Sequence, residues 1–111
     1  MTDIVIRKSE KSYQVSVRGH CKRDVCIAVS AIVNTLAQYT DDFRDNNSGF
    51  RTDSVKTCSG NSLISVYCED KRLLRRYMSG VKALEAGMAL YAHHFPGEIS
   101  MEKTGCRTSQ N

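Results

Sequence analysis

The spacing of apolar positions changes repeatedly along this chain, and each change marks an element. Residues 3–9 (DIVIRKS) and 13–20 (YQVSVRGH) are short runs rich in β-branched residues, separated by Glu10, Lys11 and Ser12. In the second run Tyr13, Val15 and Val17 fall on one face and Gln14, Ser16 and Arg18 on the other, the period of two of a half-buried strand. This predicts an opening hairpin. From Asp24 the steps become three and four: Val25, Ala28, Val29, Ile32, Val33 and Leu36 form one helical stripe. Asp24 suits the N-cap, and the helix is expected to end near Thr40. Residues 41–53 (DDFRDNNSGFRTD) read as a polar loop anchored by Phe43 and Phe50. SVKTC and SLISVYC, on either side of Ser59-Gly60-Asn61, predict a second hairpin. Glu69 and Asp70 then open a long helix striped by Leu74, Tyr77, Met78, Val81, Leu84, Met88, Tyr91, Ala92 and Phe95, and Pro96-Gly97 stop it. Residues 98–102 can add a last strand, and the tail from Lys103 reads as disordered.

The order is β-β-α-β-β-α-(β). Strands that arrive in hairpin pairs form a mainly antiparallel sheet, so the expected fold is an α+β two-layer domain over residues 1–102, with both helices packed on the sheet. The apolar surplus of the second helix, at Met78, Met88 and Tyr91, suggests a homodimer contact.

Composition narrows the class. With 111 residues, 41% hydrophobic and 25% charged, the chain suits one compact domain. No apolar run reaches membrane-spanning length and the N-terminus lacks a secretory pattern, so a soluble cytoplasmic protein without membrane partners is expected. The net charge of +4 is spread over Arg7-Lys8, Lys22-Arg23, Lys71-Arg72 and Arg75-Arg76 without interleaved aromatics, which argues against direct nucleic-acid binding. Five cysteines, an odd number without paired CxxC spacing, fit free thiols better than a disulfide framework or a zinc ribbon.

The chemistry concentrates in VRGHCKRDVCIAVSA, residues 17–31. A cysteine is a nucleophile only as thiolate. With Asp24 as N-cap, Cys26 would occupy the second helical position, where unpaired N–H groups favour an anion and can serve an oxyanion. His20, closing the preceding strand, is placed to act as base and then as acid. Gly19 lets another backbone approach closely, as an extended peptide would. The plain alternative is an exposed turn followed by a small buried cysteine. A zinc site from His20, Cys21, Cys26 and one of His93 or His94, and a role for Cys21 as resolving thiol to Cys26, are further readings. His93 and His94 otherwise read as caps of the second helix, and Cys106 has no evident role.

Gly19-His20 followed by Cys26-Ile27-Ala28-Val29-Ser30 resembles the signature of the ribosomal-processing cysteine proteases, the Prp family. Leu84-Glu85-Ala86-Gly87-Met88, Tyr91-Ala92, Phe95-Pro96 and Ile99 resemble the family's closing pattern. The resemblance implies His20 as catalytic histidine, Cys26 as nucleophile and Ser30 as a supporting hydroxyl one turn on, with no metal or organic cofactor. It further implies a homodimer that cleaves near the terminus of a ribosomal protein, or of a phage capsid or scaffold protein. Asp24 corresponds to the family's aspartate before the nucleophile only with a shift of one residue, and the link Cys21-Lys22-Arg23-Asp24-Val25 is shorter than the family's mobile one. A short link cannot form the same lid, so the second reading is a catalytically silent adaptor that binds a ribosomal or virion protein.

Overall fold

In a computed structural model describing residues 1–105, the chain forms β1 (Thr2–Lys8), β2 (Ser12–Gly19), α1 (Arg23–Asn46), β3 (Phe50–Cys58), β4 (Asn61–Cys68), α2 (Lys71–His94) and β5 (Ile99–Gly105). One sheet holds the strands in the order β3-β4-β2-β1-β5. Its pairs are antiparallel except the last, in which β5 runs parallel to β1. Alternation sorts the strand residues by face. Ile4, Ile6, Tyr13, Val15, Val17, Ile64 and Val66 are buried beneath Val25, Val29, Val33 and Leu36 of α1 and Leu74, Tyr77, Val81 and Met88 of α2. On the other face Val5, Ser16 and Leu63 line up in register and remain half-buried. This is the two-layer α+β architecture that the periodicity predicts.

Three boundaries differ from the expectation. Helix α1 continues past Thr40 to Asn46 because the polar residues there occupy its outer face, with Gln38 bonding Asp42 at 2.9 Å and Arg44 pairing with Asp41 at 3.2 Å. Its inner face carries Tyr39 and Phe43 into an aromatic cluster, where Phe43 lies 4.8 Å from Phe50 and 5.4 Å from Tyr77 between ring centroids. The long loop therefore shrinks to residues 47–49, and β3 starts at Phe50 with a register shift between Thr52 and Ser54. At the other end, β5 runs on to Gly105, so Lys103, Thr104 and Gly105 belong to the sheet. The rest of the expected tail, Cys106 included, lies outside the described residues.

Two further expectations are corrected. Asp24 is not the N-cap: helical bonding has begun by Cys26, whose N–H reaches the Lys22 carbonyl at 2.8 Å, so Lys22 is the cap residue and no side chain caps α1. Asp70 does cap α2, accepting from the N–H groups of Arg72 and Leu73. Nor is Met88 available to a dimer contact: it is fully buried against this chain's own sheet, while Met78 and Tyr91 are half-buried against the core.

The parallel strand is tied down by a buried carboxylate. Glu85 of α2 is 4% exposed. It accepts the Tyr13 hydroxyl at 2.8 Å and pairs with Lys8 of β1 at 3.2 Å and Lys103 of β5 at 3.1 Å. Burial alone would raise the Glu85 pKa, but the Tyr13 hydroxyl and the two ammonium groups outweigh it and hold the carboxyl below its ordinary value. A depressed carboxyl pKa contributes stability that is present above the unfolded-state value and is lost as pH falls through the folded one. Urea midpoints should therefore fall as pH drops below about 4.5. Glu85→Gln should flatten that part of the profile and cost about 1.5–3 kcal/mol at neutral pH, the scale of hydrogen bonds to a charged group.

Candidate active site

The site grows from the way the chain leaves β2. Gly19 takes φ 101°, a left-handed conformation that side chains resist, and its N–H bonds the Gly60 carbonyl at 3.0 Å. A β-carbon at Gly19 would also run into the Met1 carbonyl oxygen. Only His20, Cys21 and Lys22 then separate the strand from α1. The Lys22 N–H is held by Glu98 Oε1 at 2.7 Å, which fixes the far end of the link.

This sharp return folds Cys21 over the first turn of α1. The Cys21 N–H donates to Cys26 Sγ at 3.1 Å, the Cys26 thiol donates to the Cys21 carbonyl at 3.3 Å, and the two sulfurs lie 3.1 Å apart. The hydrogen-bond partner of the Cys26 thiol is thus Cys21 rather than His20. Hydrogen bonding from the Cys21 side chain, then from its backbone, lowers the Cys26 pKa against the opposing effect of burial. The buried Thr2 hydroxyl has no hydrogen-bond partner among the described residues. Cys21 moves the other way, raised mainly by burial and by Cys26 itself. The pair therefore divides its roles, with charge favoured on Cys26.

His20 and Cys26 nevertheless open onto one cavity of about 220 Å³ at the end of the sheet. Val17, Val29 and Val33 lie at its apolar side, and Ser30, Asn34 and the β3–β4 turn around Ser59 and Gly60 supply polar lining. The exposed imidazole of His20 rests against Gly60, where a β-carbon would stand 2.5 Å from Nε2. A shallower groove continues outward along α1 past Ile27, Ala31 and Asn34. It includes Ile27, an apolar side chain left 58% exposed.

Of the residues singled out in the sequence, Gly19, His20, Cys26 and Ser30 meet at this cavity. Asp24 does not: it is an exposed first-turn residue. Cys26 stands fourth in the helix rather than second, because the helix begins at Arg23. The zinc reading does not assemble, since no three His, Cys, Asp or Glu side chains converge among the described residues. His93 and His94 sit exposed in the last turn of α2. Sequence reasoning missed Thr2, Asn34 and Gly60. Asn34 was within reach, since Cys26, Ser30 and Asn34 recur at steps of four and share a helix face. Thr2 and Gly60 arrive by strand pairing, which no local pattern announces.

The fold and the cavity define an α+β domain with a cysteine and a histidine at a strand-to-helix link, and solved structures share that fold. The ribosomal processing protease Prp from S. aureus, in complex with a covalently linked product peptide, superposes with a TM-score of 0.67 at 15% identity, covering 94% of this chain and 100% of that one. The same protease with a substrate peptide gives 0.61 at 13% identity, with the same coverage. SMU.848 from Streptococcus mutans gives 0.63 at 15% identity, covering 96% of both chains. The chain thus has a Prp-like fold at distant sequence identity. No family model and no curated protein matches it at the sequence level.

The thiol geometry makes a direct prediction. Iodoacetamide should label Cys26 faster than Cys58 or Cys68 at neutral pH, and Cys21→Ala should move the pH midpoint of that labelling up toward the ordinary thiol value. Gly60→Ala should displace His20, seen as shifted imidazole resonances in NMR spectra, and cost about 1 kcal/mol or more because φ at Gly60 is 76°.

Proposed function

We propose that this chain is a cysteine endopeptidase of the Prp type, cutting a ribosomal or virion precursor protein near its terminus. One observation carries the reading: His20 and Cys26 open onto the same cavity, in the fold whose S. aureus representative holds a covalently linked product peptide. The substrate is an extended peptide laid along the α1 groove, where Ile27 and Ala31 offer apolar contact and Ser30 and Asn34 offer hydrogen bonds. His20 takes the Cys26 thiol proton as Sγ attacks the scissile carbonyl carbon, and gives that proton to the nitrogen as the C–N bond breaks, so that the amine product leaves and the acyl group stays on Cys26 as a thioester. Water, deprotonated by His20, then hydrolyses the thioester. The first-turn N–H groups of Arg23, Asp24 and Val25, which have no preceding helical carbonyl to bond, are the oxyanion donors. The protein works in the cytoplasm as a homodimer.

Catalysis requires two rearrangements from the resting geometry. The Cys26 thiol must release the Cys21 carbonyl, and His20 must turn from Gly60 toward the sulfur. That same bonding to Cys21 favours the second reading, an adaptor that binds a precursor without cutting it.

Incubating the protein with ribosomal and virion precursors, then sequencing new N-termini by mass spectrometry, separates the two. The endopeptidase should yield one specific new terminus, and Cys26→Ala or His20→Ala should slow its appearance by at least about 10²–10⁴-fold. A precursor that co-elutes with the protein but keeps its intact mass would establish the adaptor instead. Light scattering at the chain mass rather than twice that mass would remove the dimer from the proposal.

A further inference from the structure

We propose that Cys21 and Cys26 form a hydroperoxide-reactive modification site, in which oxidation closes a disulfide across the strand-to-helix link and caps the candidate nucleophile. The geometry carries this. The sulfurs are already 3.1 Å apart, about 1 Å farther than a disulfide bond length. The Cys21 backbone grips Cys26 Sγ from both sides, through its N–H and its carbonyl. Both thiols are half-buried yet reachable, Cys26 from the cavity and both from the outer groove. Cys58, the other cysteine lining the cavity, has no sulfur contact with either. Cys68 is sealed in the core, so the site has one designated partner for Cys26 among the described residues.

The roles follow from the environments. Cys26, whose thiolate is favoured, attacks the terminal oxygen of a hydroperoxide. The O–O bond breaks, an alcohol or water leaves, and Cys26 becomes a sulfenic acid. The Cys21 sulfur then attacks the Cys26 sulfur. The S–O bond breaks, water departs carrying the Cys21 proton, and the disulfide is formed. The peroxide gains the two electrons that the two thiols lose. The unpartnered Thr2 hydroxyl, buried beside the pair, is a donor for the sulfenate oxygen before Cys21 displaces it. Because the link is short and anchored by Gly19 at one end and Glu98 at the other, the resolving thiol is present before oxidation rather than recruited by unfolding.

The loss of peptide cleavage on oxidation rests on the proposed function, whereas the disulfide itself does not, so the test reads the bond directly. Trypsin cuts after Arg18, Lys22, Arg23 and Arg44 and sends Cys21 and Cys26 into separate peptides, residues 19–22 and 24–44. After brief treatment of the folded protein with hydrogen peroxide and alkylation of the remaining thiols, these two peptides should appear joined, lighter by two hydrogen atoms than their sum and separable by dithiothreitol. Cys58→Ser should leave the joined species unchanged. Cys21→Ser should abolish it and drive Cys26 on to sulfinic acid that dithiothreitol does not reverse. Peroxide that leaves both cysteines alkylatable, joins Cys26 to Cys58, or takes wild-type Cys26 to sulfinic acid without the joined peptide would overturn the proposal. Each of these outcomes is read without a cleavage assay, so a protein that cuts no precursor still answers the question.

Discussion

The structure turns on how the chain leaves β2. Three residues separate a strand in the middle of the sheet from a helix lying across it, and Gly19 makes that turn possible. Its positive φ aims the chain back over the sheet, and its missing side chain lets the Met1 carbonyl stand where a β-carbon would be. Anything larger would push β1 away or redirect the link, and with it His20, Cys21 and the start of α1. The site is therefore a consequence of backbone economy: a strand end, a left-handed glycine and a helix with no room to begin later.

The opposite end of the chain holds this turn from outside. Glu98 accepts the Thr2 N–H on its backbone carbonyl at 2.8 Å and the Lys22 N–H on its side chain at 2.7 Å, so one residue touches both β1 and the link. Glu98 can do so because β5 starts at the next residue and is locked parallel to β1. That lock includes Glu85, whose carboxylate joins Lys8 and Lys103 from adjacent strands beneath α2. A carboxylate on the far helix thus ties together β1 and β5, the two strands next to which Glu98 holds the link.

Local patterns made the architecture legible and left its joints obscure. Alternation and helical stripes are properties of neighbouring residues, and they revealed each strand, each helix and the two-layer class. The long loop was misread because residues 41–46 are polar apart from Phe43, and it is the packing of Phe43 on Phe50 and Tyr77, which is tertiary, that holds them on the helix. Asp24 looked like a cap because aspartate is a good one, yet Lys22 occupies the position and nothing caps α1. The meeting of His20, Cys26 and Ser30 at one cavity was readable from the strand-to-helix spacing and the family signature. Thr2 and Gly60, brought there by register across β1, β2 and β4, were not.

The short link also explains why the resting thiol faces a cysteine and not a histidine. A longer loop would let the residue after His20 swing clear, leaving Cys26 to the imidazole. Here the chain has no slack, so Cys21 is carried onto the first turn of α1 and its N–H and carbonyl take the sulfur between them. The contact has two effects. It stabilises the thiolate through donated hydrogen bonds, which prepares a nucleophile. It also occupies the space around the sulfur from two sides. The sulfur is thus favoured as thiolate and crowded by its own chain at once, while still lining the cavity and the outer groove.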